Sequence, residues 1–422
     1  METKSFVLRR DNHASIVKLI GSDTIAVVRP EKYVENLFRK LIHRTIVEKK
    51  SGKAELESVL DYFRSISSEA AYLEKVDEFE QMVKAYLSEG MFVYAPLRSV
   101  EDYLLARCAR LCAEAVACGV KGSRVIDGTG LVVCRPDGVF DWAVSREAIK
   151  KKCKNGLLIV SGGYGRLESG YVVRIGKDGS DMLSSLIASA IGADRVEFYV
   201  ETPGLGNNAR MTYDEAVHFL ASDNAPLDSS VLWPAKNSGI PVVVKSIYEP
   251  EKSGTLISAE PSGKAGAPSG ILVDGDVELV TVYGTGLLGK VGISSNIFSK
   301  LGEAGVNIRF IAQSSSEYSI SFAVPSSQGE VAARTLKTLV GGNPMLPLDD
   351  VMILNRKVGI VTVYGSSIAN IPGVSGRVFS ALGDEGVSII ASAQGGEELS
   401  ISVVVDEKDL PSARKALEKL YK

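Results

Sequence analysis

Beyond residue 270 the chain is written twice. Tyr283-Gly284 returns as Tyr364-Gly365, and Gly302-Glu303-Ala304-Gly305-Val306-Asn307-Ile308 returns as Gly383-Asp384-Glu385-Gly386-Val387-Ser388-Ile389. Ala312-Gln313 recurs as Ala393-Gln394 and Ser319-Ile320-Ser321 as Ser400-Ile401-Ser402, each time 81 residues later. Matches in a single register identify a duplicated module. Each copy reads strand, glycine loop, helix, strand, alternating strand, helix. That βαββα order is the core of a small α+β sandwich. Ahead of the repeat, residues 260–270 (EPSGKAGAPSG) are rich in Pro, Gly, Ser and Ala without periodicity, the pattern of a linker.

A chain of 422 residues exceeds one ordinary core, so two to four domains are expected. In residues 31–90 apolar side chains recur at spacings of three and four (Leu56, Val59, Leu60, Phe63; Val76, Phe79, Val83), which predicts a mostly helical part. From there to residue 259 short apolar strands alternate with helices: Arg195–Val200 and Ile240–Lys245 read as strands, Thr212–Ala221 as a helix opened by a Thr212/Glu215 capping box. That alternation predicts an α/β fold, a mainly parallel sheet with helices on both faces.

The stretch from Gly162 to Asp181, GGYGRLESGYVVRIGKDGSD, follows the apolar run Gly156–Val160 and precedes the helical run Met182–Ile191. A strand that delivers glycines to a helix start can close backbone N–H groups on phosphate oxygens, and the helix N-terminus adds partial positive charge. Gly162, Gly163, Gly176 and Gly179 are therefore candidate nucleotide-binding positions. The five cysteines (Cys108, Cys112, Cys118, Cys134, Cys153) do not match zinc-ligand spacing, and with only three histidines no metal site is expected. They read as reduced, packed side chains of a cytoplasmic protein. A net charge of −3 argues against nucleic-acid or membrane-surface partners. No apolar run reaches the roughly 20 residues of a membrane span, and METKSFVLRRDNH lacks a signal-peptide core.

The repeated pieces VTVYGTGLLGKVGISSNIFSKLGEAGVNIRFIAQSSSEYSISFAV and VTVYGSSIANIPGVSGRVFSALGDEGVSIIASAQGGEELSISVVV resemble ACT domains, and in particular the paired units that end aspartokinases. IVSGGYGRLESGYVVRIGKDGSD is similar to the aspartokinase stretch ending in GRGGSD, and IPVVVKSIYEPEKSGTLIS resembles the end of that family's catalytic domain. The resemblance implies an amino-acid-kinase domain over residues 1–259, a linker at 260–270, and ACT domains at 271–345 and 346–422. It implies transfer of the γ-phosphoryl of ATP, with Mg2+, to the side-chain carboxylate of aspartate in lysine, threonine and methionine synthesis. Amino-acid regulation and a homodimer through the ACT units are implied too.

Carried over by motif, Asp181 and Ser180 fall on the catalytic Ser-Asp, and Lys177 stands where the family has an arginine for the acceptor carboxylate. Lysine keeps the charge but loses the bidentate fork, and Asp178 replaces a glycine. Glu201 stands in for a nucleotide-site aspartate, with Gly204 after it. Val306, Asn307, Ile308 and Gln313 match effector-binding positions of the first ACT unit. Other family groups are replaced: a glutamate by Ala109, a lysine by Ser230. The Lys-Phe-Gly-Gly-Thr-Ser opening has two competing registers, one on Lys18, the other placing Arg9-Arg10-Asp11-Asn12-His13 in the loop. Three readings follow: a divergent aspartokinase; a catalytically silent paralogue that binds amino acids and pairs with an active aspartokinase; and a kinase for another carboxylate.

Overall fold

The computed structural model describes residues 1–88, 96–135, 139–154, 156–176, 179–206, 208–221, 225–260, 268–284, 287, 292–316, 318–342, 352–396 and 399–420. The chain separates into two compact units, Met1–Glu260 and Pro261–Lys422. Most of the 260–270 linker, and the 345/346 boundary between the repeats, lie outside the described residues.

In the first unit the strands are β1 (Glu2–Leu8), β2 (Thr24–Pro30), β3 (Arg124–Ile126), β4 (Val133–Cys134), β5 (Leu158–Ser161), β6 (Tyr164–Leu167), β7 (Val172–Arg174), β8 (Arg195–Val200), β9 (Arg210–Thr212), β10 (Val242–Ser246) and β11 (Thr255–Ser258). The helices are α1 (His13–Leu19), α2 (Lys32–Ile42), α3 (Lys53–Arg64), α4 (Ala70–Ser88), α5 (Leu97–Gly119), α6 (Trp142–Lys152), α7 (Gly179–Ile191), α8 (Tyr213–Leu220) and α9 (Trp233–Ser238). An eight-stranded sheet runs in the order β3-β5-β2-β1-β8-β10-β11-β9. It is parallel from β3 to β10, and β11 turns antiparallel to β10. A smaller sheet holds β4, β6 and β7.

Side chains alternate across a strand, so each buried strand feeds two cores. Phe6, Leu8, Ala26, Val28 and Ile159 point into the cluster built by α2–α5. There Phe79 lies 5.8 Å from Phe38 and 5.9 Å from Phe63. Each such ring, fully buried, contributes roughly 1.5–3 kcal/mol. Cys108 and Cys112 sit one turn apart on α5 in the same cluster, where burial pushes both thiols up. The opposite face carries α7, which is buried along nearly its whole length. The capping box forms at the head of α8: Thr212 N–H donates to Glu215 Oε2 (2.7 Å), and Glu215 N–H to Thr212 Oγ1 (3.2 Å).

The second unit carries β12 (Gly270–Tyr283), α10 (Ile293–Glu303), β13 (Phe310–Gln313), β14 (Ser319–Pro325), α11 (Gly329–Gly342), β15 (Met352–Tyr364), α12 (Val374–Asp384), β16 (Ile389–Gln394), β17 (Ser400–Asp406) and α13 (Leu410–Leu420). This is βαββα twice. The cores repeat as the sequence does. Val280, Val282, Ile297, Leu301, Ile320, Phe322, Val324 and Leu336 fill the first. Val361, Val363, Val378, Leu382, Ile401, Val403, Val405 and Leu417, each 81 positions on, fill the second.

The strands do not stay within their repeats. One six-stranded antiparallel sheet runs β13-β14-β12-β15-β17-β16. Residues 277–283 of β12 pair with β14 on one side and with 352–358 of β15 on the other. Residues 358–364 of β15 pair with β17, and 360–364 also pair with 270–274 of β12. Each repeat thus borrows the outer part of the other's first strand. Val277 faces Val358, its own counterpart in the repeat, so a pseudo-twofold axis crosses the ladder there. Side-chain bonds obey the same symmetry: Thr281–Ser321 at 2.9 Å, Thr362–Ser402 at 2.8 Å.

A piece spanning 268–342 alone is expected to give no cooperative monomeric unfolding transition, because it lacks the strand 352–358, whereas 268–420 is expected to give one. A monomeric, cooperatively unfolding 268–342 in denaturant titrations followed by circular dichroism would contradict the exchange of strands.

Candidate active site

Open α/β sheets bind ligands at the carboxyl ends of their parallel strands. Here β1, β2, β8 and β10 end on a cleft of about 530 Å3. Its charged lining is Arg9, Arg29, Lys32, Glu31, Asp181, Glu201 and Asp228. Of the two N-terminal registers, the structure takes the one in which the first strand ends at Leu8 and the helix begins at His13. Lys18 then lies exposed on α1, away from the cleft. The loop between is held by Asn12, whose Oδ1 accepts from Arg9 N–H (2.8 Å) and whose Nδ2 donates to Val7 O (2.9 Å).

Asp181 enters the cleft from the first turn of α7. It is buried, and Ser5 Oγ, on β1, donates to its Oδ1 at 2.6 Å. Ser5 is on the sheet face opposite Phe6, so strand alternation alone aims it at α7. At the mouth, Arg9 forms an ion pair with Glu201 at the end of β8 and donates to the Tyr248 hydroxyl (2.9 Å). Both partners are distant in sequence.

The glycine stretch is not one loop. After Gly162 and Gly163 the chain makes the β6/β7 hairpin (Tyr164 opposite Arg174) before α7 begins. The two ends of the hairpin meet: Ile175 N–H donates to Gly163 O at 2.9 Å. This brings Gly162 and Gly163 against Gly179 and Ser180. A Cβ on Gly162 would fall 2.5 Å from Ser180 Cβ and 2.8 Å from Val27 Cγ1, and one on Gly179 would fall 2.5 Å from Gly163 O. These glycines are explained by the approach of turn and helix. Gly163 also takes φ +97°, which disfavours a side chain. Gly162, Gly163, Gly179 and Ser180 line a pinhole space of about 10 Å3 with Arg29, Glu35 and Arg174.

The remaining expected positions are dispersed. Gly176 is exposed, with φ +59°. Gly204 is buried, and a Cβ there would fall 2.7 Å from Thr255 Oγ1 on β11; it does not line the cleft. Lys177 and Asp178 lie outside the described residues. Ala109 is fully buried in the α2–α5 core. Ser230 bonds Asp228 through Oγ (2.6 Å). Among the described residues no three or more His, Cys, Asp or Glu side chains gather as a metal cluster, and no helix is long and apolar enough to cross a membrane. In the second unit Val306 is buried, Asn307 is exposed and donates its N–H to Gln328 Oε1 (2.8 Å), Ile308 packs on the first core, and Gln313 is exposed at the end of the edge strand β13.

Residues that the sequence did not single out complete the picture. Glu35 is buried between Arg174 (3.4 Å) and Arg39 (3.7 Å). Beneath Tyr199, Glu197 is buried and takes the Tyr199 hydroxyl at 2.8 Å, with Arg195 Nε at 3.0 Å and Lys4 and Lys245 Nζ each at 3.5 Å. Burial raises the Glu197 carboxyl, but the Tyr199 hydrogen bond and the three cations outweigh it, so its pKa lies below the ordinary 4.5.

Two outcomes follow. Gly162→Ala is expected to destabilise the unit by about 1–3 kcal/mol in denaturant titrations, the range for overpacking a close-packed site. Glu197→Gln is expected to cost about 1–3 kcal/mol near neutral pH, since its bonds to charged partners are weakened. A depressed folded pKa stabilises above the unfolded value and is lost as pH falls through the folded one. Wild type should therefore lose stability as pH drops below about 4.5 more steeply than Glu197→Gln.

Two family models match the chain: the amino acid kinase family over residues 52–246, and the ACT domain over 280–339 and 361–421. A bifunctional aspartokinase/homoserine dehydrogenase of Haemophilus influenzae is 30% identical over 278 residues, covering 62% of this chain and 34% of the relative. A chloroplastic bifunctional aspartokinase/homoserine dehydrogenase 1 of Arabidopsis thaliana is 25% identical over 97% of this chain and 48% of its own length. The chain thus spans about a third to a half the length of these relatives. Aspartokinase 2 of Bacillus subtilis is 29% identical over 63% of this chain and 66% of the relative. In fold, the chain is similar to the crystal structure of Clostridium acetobutylicum aspartate kinase, with a TM-score of 0.83 at 20% identity over 100% of this chain and 99% of that one. It is also similar to E. coli aspartokinase III in complex with lysine and aspartate, with a TM-score of 0.81 at 17% identity over 100% of both chains. With an amino-acid-kinase unit ahead of two ACT repeats, and aspartokinases among its relatives and its fold neighbours alike, the chain belongs to the aspartokinase family.

Proposed function

We propose that the first unit is an ATP-dependent kinase whose acceptor is the side-chain carboxylate of aspartate, and that the second unit binds a regulatory amino acid and mediates a homodimer. The observation that carries the kinase reading is Asp181: a buried carboxylate, pinned by Ser5, that opens onto a cleft at the strand ends large enough for a nucleotide and a small acceptor. The acceptor's carboxyl, with an ordinary pKa of about 3.9, is already ionised at neutral pH. It therefore needs no general base. Catalysis reduces to holding two anions in line and neutralising the charge that passes between them.

The residues divide that work. The α7 N-terminus, with Ser180, offers donors to anionic oxygens. Lys177 holds the place in the family motif of the cation that pairs with the acceptor carboxylate. Asp181 orients the cations gathered on the phosphates. Mg2+ in such sites rests on nucleotide phosphates and one or two carboxylates, where it neutralises phosphate charge. The acids of this cleft fit that arrangement, with Asp181 the side chain to hold it. Glu201, which lines the cleft after β8, is the nucleotide-side position, and Val306, Asn307, Ile308 and Gln313 serve the regulatory amino acid.

The Arg9–Glu201 pair favours a second reading. It joins the cation of the first loop to the acid at the end of β8, and both charges are thereby withdrawn from a ligand. With Ala109 in the core, this suits a silent paralogue that binds amino acids and pairs with an active aspartokinase.

Purified full chain with Mg-ATP and aspartate is expected to form an acyl phosphate trapped as the hydroxamate, and Asp181→Asn to lower the rate roughly 100-fold or more. No hydroxamate from wild type, together with no nucleotide binding in calorimetry, would remove the kinase reading and leave the silent one. Thermal stabilisation of the chain by lysine or threonine would support amino-acid binding under either.

A further inference from the structure

We propose that Arg29 is the oxyanion receptor of the first unit, the guanidinium on which a phosphoryl or carboxylate group of the ligand docks. The inference shares its cleft with the kinase reading but does not require turnover. Arg29 is the next-to-last residue of β2 and lines both the 530 Å3 cleft and the pinhole bounded by Gly162, Gly163, Gly179 and Ser180. It is the side chain that joins the two spaces.

Lys32 also lines the cleft without an ion pair among the described residues, but most of the other charges there are already engaged. Arg9 holds Glu201 and Tyr248. Glu35 is shared by Arg174 and Arg39. Asp181 takes the Ser5 hydroxyl, and Asp228 takes the N–H and hydroxyl of Ser230. The Arg29 side chain has no hydrogen-bond or ion-pair partner among the described residues, and its Nε is buried without an acceptor. A buried guanidinium donor left unmade costs free energy that folding alone does not recover. An incoming oxyanion supplies the missing acceptor.

A second, independent feature points to the same place. Ser180 is fully buried, and its Oγ also lacks a partner while lining the pinhole in the first turn of the 13-residue α7. The pinhole holds about one water-sized sphere. The body of a ligand therefore lies in the cleft and reaches inward with a single oxygen. That oxygen would meet the Ser180 hydroxyl and the helix N-terminus, and a second oxygen of the same group would meet Arg29. The planar fork of arginine suits two oxygens of one carboxylate or phosphate.

The test is calorimetric titration of the full chain with three probes: inorganic phosphate, Mg-ADP and L-aspartate. Arg29→Gln, Arg29→Lys and, as a charge control, Lys18→Gln are compared with wild type. Wild type is expected to bind at least one probe. Arg29→Gln should weaken that binding about 10- to 100-fold, the range of a charge-assisted pair of bonds, with Arg29→Lys weaker than wild type and Lys18→Gln unchanged. Loss on the phosphate and Mg-ADP arms assigns the docked group as phosphoryl; loss on the aspartate arm assigns it as carboxylate. Should Arg29→Gln not fold by near-UV circular dichroism, Arg29→Lys carries the comparison. Binding equal to wild type in the folded variants, or no binding of any probe by wild type, overturns the proposal. Arg29-dependent phosphate binding without hydroxamate formation would uphold Arg29 and remove the kinase reading. Hydroxamate formation with unaltered Arg29 variants would do the reverse.

Discussion

The cleft depends on one close approach, that of the Gly162-Gly163 turn to the first residues of α7. Two backbones meet there at a distance that no side chain permits, and the position of Asp181 follows from it. If turn and helix stood farther apart, Asp181 would lose Ser5 on β1 and with it a fixed direction. The approach in turn requires the β6/β7 hairpin, which carries the chain out and returns it to the same point. A region that reads as a phosphate loop is therefore a clamp, with Gly162 and Gly179 required by packing.

Much of this architecture was legible in the sequence. The duplication is visible as paired dipeptides, and the same 81-residue period reappears in the buried side chains, because a core position constrains volume and polarity together. The Thr212/Glu215 box was legible for a similar reason: both partners lie within one turn, so composition and geometry coincide. The helices α2–α4 and the strand–helix alternation after them follow from periodicity, which is local.

What was not legible is what joins distant segments. Ser5 and Asp181 are 176 residues apart and Arg9 and Glu201 are 192 apart, and no spacing rule relates them. Arg29 reads as an ordinary cation at the end of a strand; only the three-dimensional census of partners distinguishes it from Arg174 or Arg39. The hairpin inside the glycine stretch was hidden by its glycines, since Tyr164–Leu167 and Val172–Arg174 are too short to show alternation. The exchange of strands between repeats was hidden for a different reason. A repeat in sequence suggests two separate bodies, whereas the first strand of each is nearly twice the length that its own partner covers.

That exchange has a consequence for how the second unit responds to perturbation. Because Val277 and Val358 face each other across the pseudo-twofold axis, β12 and β15 are edges of neither repeat and each is held by strands of both. The repeats cannot relax separately. Two copies that began as duplicates are now joined in a single hydrogen-bonded sheet.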